Sequence, residues 1–416
     1  MSGIVIAGAG QAGFQAAASL RDNGYAGPVV LLGDEPELPY QRPPLSKAYL
    51  DGKADDEMLR LRPQSFFDEH RIEYHPGESL VRIRRAERQV ELSSGRRLAY
   101  DHLVLATGSR NRVLPVPGAD LDGVVQLRTR ADAADLRRRL SGVRRAVVIG
   151  AGFIGLEFAA VAVQRGIPVS VIEATERPMS RALSVPMSSF FRAAHEAKGV
   201  RFLFDAPATR ITGENGRATG VETAGAGHVE GDLVLVGIGV VPNVDAAVDA
   251  QLAVADGVLV DEQLVTSDPH ISAIGDCASF PTPFADGRRV RIESVQNAAD
   301  QARCVASRLA GRPASYAAVP WFWSDQGSLK LQIAGLSTPH EEAVLRGAPA
   351  GGAFSVFCFA RGRLVGVESV NRPADHMAAR RLLAGRIGIT PEQAGDPGFD
   401  LKALASAPRS AGAAAA

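Results

Sequence analysis

The sequence is poor in cysteine. It has three in 416 residues, Cys277, Cys304 and Cys358, and no Cys-x-x-Cys pair. Electron relay through an adjacent redox dithiol needs two thiols side by side with depressed pKa values, so that chemistry is excluded. A distant pair meeting in the fold stays open, and inert buried thiols are the expectation. Excess charge is lacking too: Lys and Arg total 46, as do Asp and Glu, so no global field points to nucleic acid. No apolar run reaches the ~18 residues of a membrane span. The N-terminus leads straight into an apolar strand pattern with no room for a signal peptide, and a cytoplasmic protein away from the membrane is expected. The eight histidines show no ligand spacing, and no metal site is expected. With 22% charged and 46% hydrophobic residues over this length, two or three soluble globular domains are expected.

What the chain does have is glycine in two related places. Gly8-Ala9-Gly10-Gln11-Ala12-Gly13 follows the apolar run Gly3-Ile4-Val5-Ile6-Ala7. Gly150-Ala151-Gly152-Phe153-Ile154-Gly155 follows Ala146-Val147-Val148-Ile149. Both runs read as buried parallel strands, each followed by a helical pattern. In a G-x-G-x-x-G turn the first glycine makes the tight bend, the second admits a pyrophosphate, and the third lets helix and strand pack closely. The phosphates then lie at a helix N-terminus, where free N–H groups and the dipole favour negative charge. About 20 residues on, an acid at the end of the next strand is expected to bind a ribose. Glu173 follows Val169-Ser170-Val171-Ile172, and Asp34 and Glu35 follow Val29-Val30-Leu31-Leu32-Gly33. One fingerprint arises readily by chance. Two, each with strand, helix and acid, imply two nucleotide cofactors and electrons passing from a nicotinamide to a flavin. A carboxylate at Glu173 accepts from a ribose 2′-OH and repels a 2′-phosphate, which favours NADH over NADPH. Arg177 and Arg181 weaken that preference, since either offers a seat for the extra phosphate.

The two halves repeat one plan of fingerprint followed by a strand ending in glycine. The first ends at Leu103-Val104-Leu105-Ala106-Thr107-Gly108 and the second at Leu233-Val234-Leu235-Val236-Gly237-Ile238-Gly239. Ile271-Ser272-Ala273-Ile274-Gly275-Asp276 reads as a further strand returning to the first domain. Phe354 to Phe359 and Leu364 to Val370 read as a hairpin of a third domain. The expected divisions are 1–109 with 244–318, 110–243, and 319–405, followed by a disordered Ala-rich tail over 406–416.

More specific motifs accompany the fingerprints. They are Pro43-Pro44-Leu45-Ser46-Lys47-Ala48-Tyr49-Leu50, Ala106-Thr107-Gly108, Leu127-Arg128-Thr129, Gly275-Asp276-Cys277-Ala278, Arg291-Ile292-Glu293-Ser294-Val295 and Pro320-Trp321-Phe322-Trp323-Ser324-Asp325-Gln326. With them the chain resembles, to about residue 405, the FAD-dependent NADH:ferredoxin reductases of bacterial oxygenase systems, the group of putidaredoxin reductase. The resemblance implies an α/β fold: two Rossmann-like, glutathione-reductase-like domains, one for FAD and one inserted for NAD, plus a C-terminal α+β domain. For FAD it implies Gly8, Gly10, Ala12, Gly13, Asp34, Glu35, Arg42, Leu80, Ala106, Thr107, Gly108, Arg128, Gly275, Glu293 and Ser294, with Asp276 at a helix N-terminus binding the ribityl chain and Val295 backing the isoalloxazine. For NAD it implies Gly150, Gly152, Ile154, Gly155, Glu157, Glu173, Gly237 and Gly239.

The implied chemistry is hydride transfer from NADH to FAD, then two single-electron transfers to a [2Fe-2S] ferredoxin serving a haem monooxygenase. Lys47 is expected near the flavin ring, stabilising its reduced form, and Glu157 is expected to pair with Lys47. Trp321 and Trp323, two apart on a strand, share a face; either they belong to a core strand, or Trp323 flanks the flavin on the electron exit. Ferredoxins are commonly acidic, so a basic dock is expected. One candidate cluster is Arg288, Arg289 and Arg291; a looser one is Arg361, Arg363, Arg372, Arg380, Arg381 and Arg386; the resemblance adds Arg303 and Lys402. A monomer or weak dimer is expected. The alternatives are a ring-hydroxylating dioxygenase reductase, an NADH oxidase or coenzyme A disulphide reductase, a quinone reductase and a flavin-binding signalling protein. The disulphide class carries a redox cysteine near Ser46, which this chain lacks.

Overall fold

The computed structural model describes residues 2–406. The tail expected at 406–416 lies outside them except for Ser406, which closes the helix Leu401–Ser406. Two compact units divide the chain. One comprises Met1–Pro44, Ala54–Arg110 and Val240–Ala318, the other Leu45–Lys53, Asn111–Gly239 and Val319–Ala416.

In the first unit, Val and Ile runs that alternate with no polar face form a sheet buried on both sides. Gly3–Ala7 lies at its centre, parallel to Val29–Gly33 and to Arg97–Leu105. Ile72–Pro76 adds beyond Val29–Gly33. Ile271–Ala273 pairs in parallel with Arg97–Leu105, as its sequence pattern predicts. Helix Gln11–Asp22 buries Phe14, Ala16, Ala17 and Leu20 in the core of this unit.

The second unit holds three main sheets, the smallest an antiparallel one of Ala208–Glu214, Arg217–Thr223 and Gly227–Glu230. Arg201–Leu203, Val169–Ile172, Ala146–Ile149, Leu233–Val236 and Val124–Val125 form an all-parallel sheet in that order. Trp321–Gln326, Leu329–Gly335, Arg363–Val370, Ala353–Ala360 and Glu342–Ala348 form an antiparallel sheet, with the expected hairpin as its Ala353–Ala360 and Arg363–Val370 pair.

The observed divisions differ from the expected ones through long-range side-chain contacts. Asn243 donates to the Thr107 carbonyl at 2.9 Å and accepts from the Thr107 hydroxyl at its own carbonyl at 2.6 Å, drawing Val240 onward into the first unit. Ser46 and Lys47 bond to Glu157, and Arg165 donates to the Leu50 carbonyl at 2.8 Å, placing Leu45–Lys53 in the second. The C-terminal sheet joins the same unit through Ser324 on Glu157 and through Glu368, which accepts from the Ser184 amide and hydroxyl at 2.8 and 2.6 Å.

Candidate active site

The first fingerprint is shaped by close approach. Gly8 has φ +112°, and a Cβ on it would stand 2.2 Å from the Ala106 carbonyl oxygen, so only glycine fits. A Cβ on Gly13, in the first turn of the helix, would stand 1.8 Å from the Gly8 carbonyl oxygen. Gly10 differs. It caps the helix in an extended conformation without a side-chain hydrogen bond, and a Cβ there would meet nothing within 4 Å. The first-turn N–H groups thus open on a cradle suited to an anion.

Gly10, Asp34, Glu35, Tyr40, Arg42 and Tyr74 line one groove beside it. Glu35 is engaged within the protein, accepting from Tyr40 at 2.5 Å and Arg42 at 2.6 Å. Burial works against the Arg42 charge, but Tyr40 and Glu35 hold its guanidinium above the ordinary value. Asp34 is exposed on the groove. Cradle and acid together fit an adenine dinucleotide.

The remaining expected FAD residues of this unit fall as follows. Ala12 is buried, its Cβ 3.1 Å from where a Gly275 Cβ would lie. Leu80 is half-buried at the start of a strand, and Ala106, Thr107 and Gly108 form the turn clamped by Asn243. Asp276 sits in the first turn of the short 3-10 helix Gly275–Cys277 and accepts from Ser109 at 2.8 Å. The helix that follows is Val295–Leu309, starting at Val295 and capped by Ser294, whose hydroxyl accepts from the Asn297 amide at 3.0 Å. Glu293 is paired with Arg291 at 2.6 Å.

The second fingerprint repeats the first. Gly150 has φ +103° and would place a Cβ 2.4 Å from the Gly237 carbonyl oxygen; a Cβ on Gly155 would lie 2.4 Å from the Gly150 carbonyl oxygen. Gly152 caps the helix Phe153–Gln164 with no side-chain bond, and its added Cβ finds nothing nearer than 3.9 Å. Ile154 is exposed and Gly239 has φ +96°. Glu173 accepts from the Ala151 amide at 2.7 Å and the Thr175 amide at 2.9 Å, fixed at the fingerprint loop. Arg177 is turned onto its own loop, donating to the Ser180 and Leu183 carbonyls, both at 2.9 Å. Arg181 is exposed, its guanidinium 3.3 Å from the place of a Gly239 Cβ.

Lys47 and Glu157 do meet, with Nζ 2.8 Å from Oε2. Glu157 is one turn beyond Phe153 on the helix, on the same face, and Phe153 packs on Phe322 with ring centroids 4.6 Å apart. That contact brings the strand Trp321–Gln326 alongside. The Glu157 carboxylate, 4% exposed, accepts from Ser46 at 2.5 Å on Oε2 and from Ser324 at 2.6 Å on Oε1. The sequence reading missed both serines. Arg128, half-buried, precedes the capping box of the helix Arg130–Arg139.

Trp321 and Trp323 share a face, ring centroids 5.6 Å apart, on an edge strand and half-buried. Arg380 lies 4.7 Å over the Trp321 ring. The basic cluster at Arg288 is committed internally: Arg289 donates to the Val260 carbonyl at 2.5 Å, and Arg291 pairs with Asp256 and Glu293. Arg303 is exposed beside Asp300, Arg372 pairs with Asp375, and Lys402 is exposed. Cys277, Cys304 and Cys358 are free thiols, and burial pushes each thiol pKa up. No group of three His, Cys, Asp or Glu able to hold a metal, and no helix long and apolar enough to cross a membrane, occurs among the described residues.

Residues 2–302 match the pyridine nucleotide-disulphide oxidoreductase family and 321–405 the reductase C-terminal family. The chain is 54% identical to rhodocoxin reductase of Rhodococcus erythropolis over 96% of its length and 93% of the relative's. Among solved structures it is similar to the ferredoxin reductase for the CYP199A2 system from Rhodopseudomonas palustris: TM-score 0.96, 50% identity, 98% of this chain and 100% of that one. The covalent putidaredoxin reductase–putidaredoxin complex gives TM-score 0.94 and 38% identity over 97% and 98% of the two chains.

Proposed function

The chain belongs to the pyridine nucleotide-disulphide oxidoreductase family, among its bacterial ferredoxin reductases, and on that premise we propose that it carries electrons from NADH to a [2Fe-2S] ferredoxin that supplies a haem monooxygenase. When bound, FAD supplies the conversion of a two-electron hydride donor into single electrons. The residues of this chain bind, orient and set charge. The Gly10 cradle and Asp34 hold the FAD diphosphate and ribose; the Gly152 cradle and Glu173 hold those of NADH. Glu173 disfavours a 2′-phosphate, and Arg177, tied to its own loop carbonyls, offers that phosphate little. Lys47, anchored on Glu157, supplies the positive charge that favours the reduced cofactor. Trp323 serves the electron exit, and Arg303 and Lys402 contribute to the acidic partner's dock.

The observation that carries this reading is the Lys47–Glu157–Ser46 cluster. It occupies the segment where the disulphide-reducing alternative needs a redox cysteine. The relatives that serve the CYP199A2 system and bind putidaredoxin support a partner of the haem-monooxygenase type. Presenting the reductase with two purified two-iron ferredoxins, one from a haem monooxygenase system and one from a ring-hydroxylating dioxygenase, tests it. Faster NADH-driven reduction of the former is expected. Preference for the latter moves the chain to the dioxygenase reading.

A further inference from the structure

The strand Trp321–Gln326 alternates its faces. Trp321 and Trp323 take one side; Phe322, Ser324 and Gln326 take the other, where Phe153, Glu157 and His195 lie. On that inner side Ser324 and Gln326 are fully buried, 0% exposed, and His195 is 2% exposed. Buried polar groups persist where they are hydrogen-bonded to a purpose, and these form a line. The His195 ring Nε2 lies 2.7 Å from Gln326 Oε1, the Gln326 amide donates to Ser324 Oγ at 3.3 Å, and Ser324 Oγ donates to Glu157 Oε1 at 2.6 Å.

Burial pushes the His195 imidazole down from its ordinary pKa, and its Nδ1 is buried with no hydrogen-bond partner among the described residues. The Gln326 oxygen faces His195 Nε2, and its NH2 group faces Ser324. An amide N–H only donates, so Ser324 cannot turn its proton toward Gln326 and must give it to Glu157. On the other carboxylate oxygen Ser46 donates, and Lys47 Nζ lies 2.8 Å away.

We propose that Ser324 and Gln326 are positioning residues for the Lys47–Glu157 pair: the line of hydrogen bonds holds the Glu157 carboxylate in place to anchor Lys47. The inference rests on the reading that this pair serves cofactor reduction. Lys47, from Leu45–Lys53, is the charged group turned to Glu157; Ser46 and Ser324 are neutral; Asp325 lies on the opposite face of its strand; and His195 stands at the far end of the line.

The experiment uses the FAD-loaded protein. Flavin midpoint potential and the rate of anaerobic flavin reduction by NADH are measured for the parent, Ser324→Ala, Ser324→Thr and Gln326→Leu, with Glu157→Gln and Lys47→Met as references. Loss of the Ser324 hydrogen bond frees the carboxylate that anchors Lys47, so Ser324→Ala is expected to slow flavin reduction by about tenfold and to move the potential in the direction that Glu157→Gln does. Ser324→Thr, which keeps the hydroxyl, restores the parental rate and potential; Gln326→Leu moves both in the same direction by less. If Ser324→Ala fails to retain FAD, Gln326→Leu decides. Rates and potentials of Ser324→Ala and Gln326→Leu that coincide with the parent's, while Lys47→Met and Glu157→Gln slow reduction, overturn the positioning role and leave the pair reading intact. Unchanged reduction in Lys47→Met and Glu157→Gln overturns the pair reading itself.

Discussion

Glu157 is buried, and Ser46, Ser324 and Lys47 reach its carboxylate. Removing one partner of a buried ion pair is costly, which makes the single-residue outcomes sharp. Lys47→Met is expected to slow flavin reduction by NADH on the order of a hundredfold, the scale of one preorganised electrostatic contact, read by anaerobic stopped-flow; an unchanged rate contradicts the role given to Lys47. Two histidines set a second residue-scale behaviour. Burial, with Arg308 nearby, lowers His102 to about 3, and burial, with Arg380 nearby, lowers His376 to about 4. Both folded values lie below the unfolded one, near 6.5, so the unfolded chain binds more protons on acidification. Their neutral burial costs nothing above about pH 6.5 and progressively destabilises the fold as pH falls from there toward 4 and 3. Urea midpoints should decline over that window, and His102→Gln should decline less steeply while keeping a hydrogen-bonding group for Ser272.

At the scale of elements, the two fingerprint turns separate ligand binding from folding. Gly10 has φ −72° and open space before its Cα, so Gly10→Ala should fold yet bind FAD at least tenfold more weakly, measured by titrating the apoprotein. Gly13→Ala drives a methyl to 1.8 Å from a backbone oxygen and should lower thermal stability of the apoprotein as well. Equal effects of the two substitutions would contradict the division. These turns were legible in the sequence because glycine spacing and apolar runs are local signals: Gly3–Ala7, Ala146–Ile149, Val169–Ile172 and the Ala353–Ala360 hairpin stand where the pattern predicts. Asn243 on Thr107, and Ser46 and Ser324 on Glu157, were not legible, since each joins segments over 100 residues apart. One signal was present and passed over. Alternation that puts Trp321 and Trp323 on one face puts Ser324 and Gln326 on the other, two polar residues where an apolar face is the norm.

For the molecule as a whole, the proposed function comprises three tasks: accept reducing equivalents from NADH, hold them on FAD, and deliver them one at a time to an acidic two-iron protein. Screening acts on the last alone. Turnover with ferredoxin should fall as salt rises, while NADH-to-ferricyanide turnover changes little; equal sensitivity would argue against charge-steered docking. Trp323→Ala should slow delivery to ferredoxin and leave reduction by NADH intact. The most direct measurement follows both halves at once. In anaerobic stopped-flow, NADH is mixed with the yellow protein and then with a two-iron ferredoxin, and flavin and iron–sulphur absorbance are recorded together. Fast bleaching of the flavin is expected, followed by ferredoxin reduction as the flavin colour returns. Bleaching without transfer to any ferredoxin, but with rapid reoxidation by oxygen, a quinone or a disulphide, would contradict the proposed function.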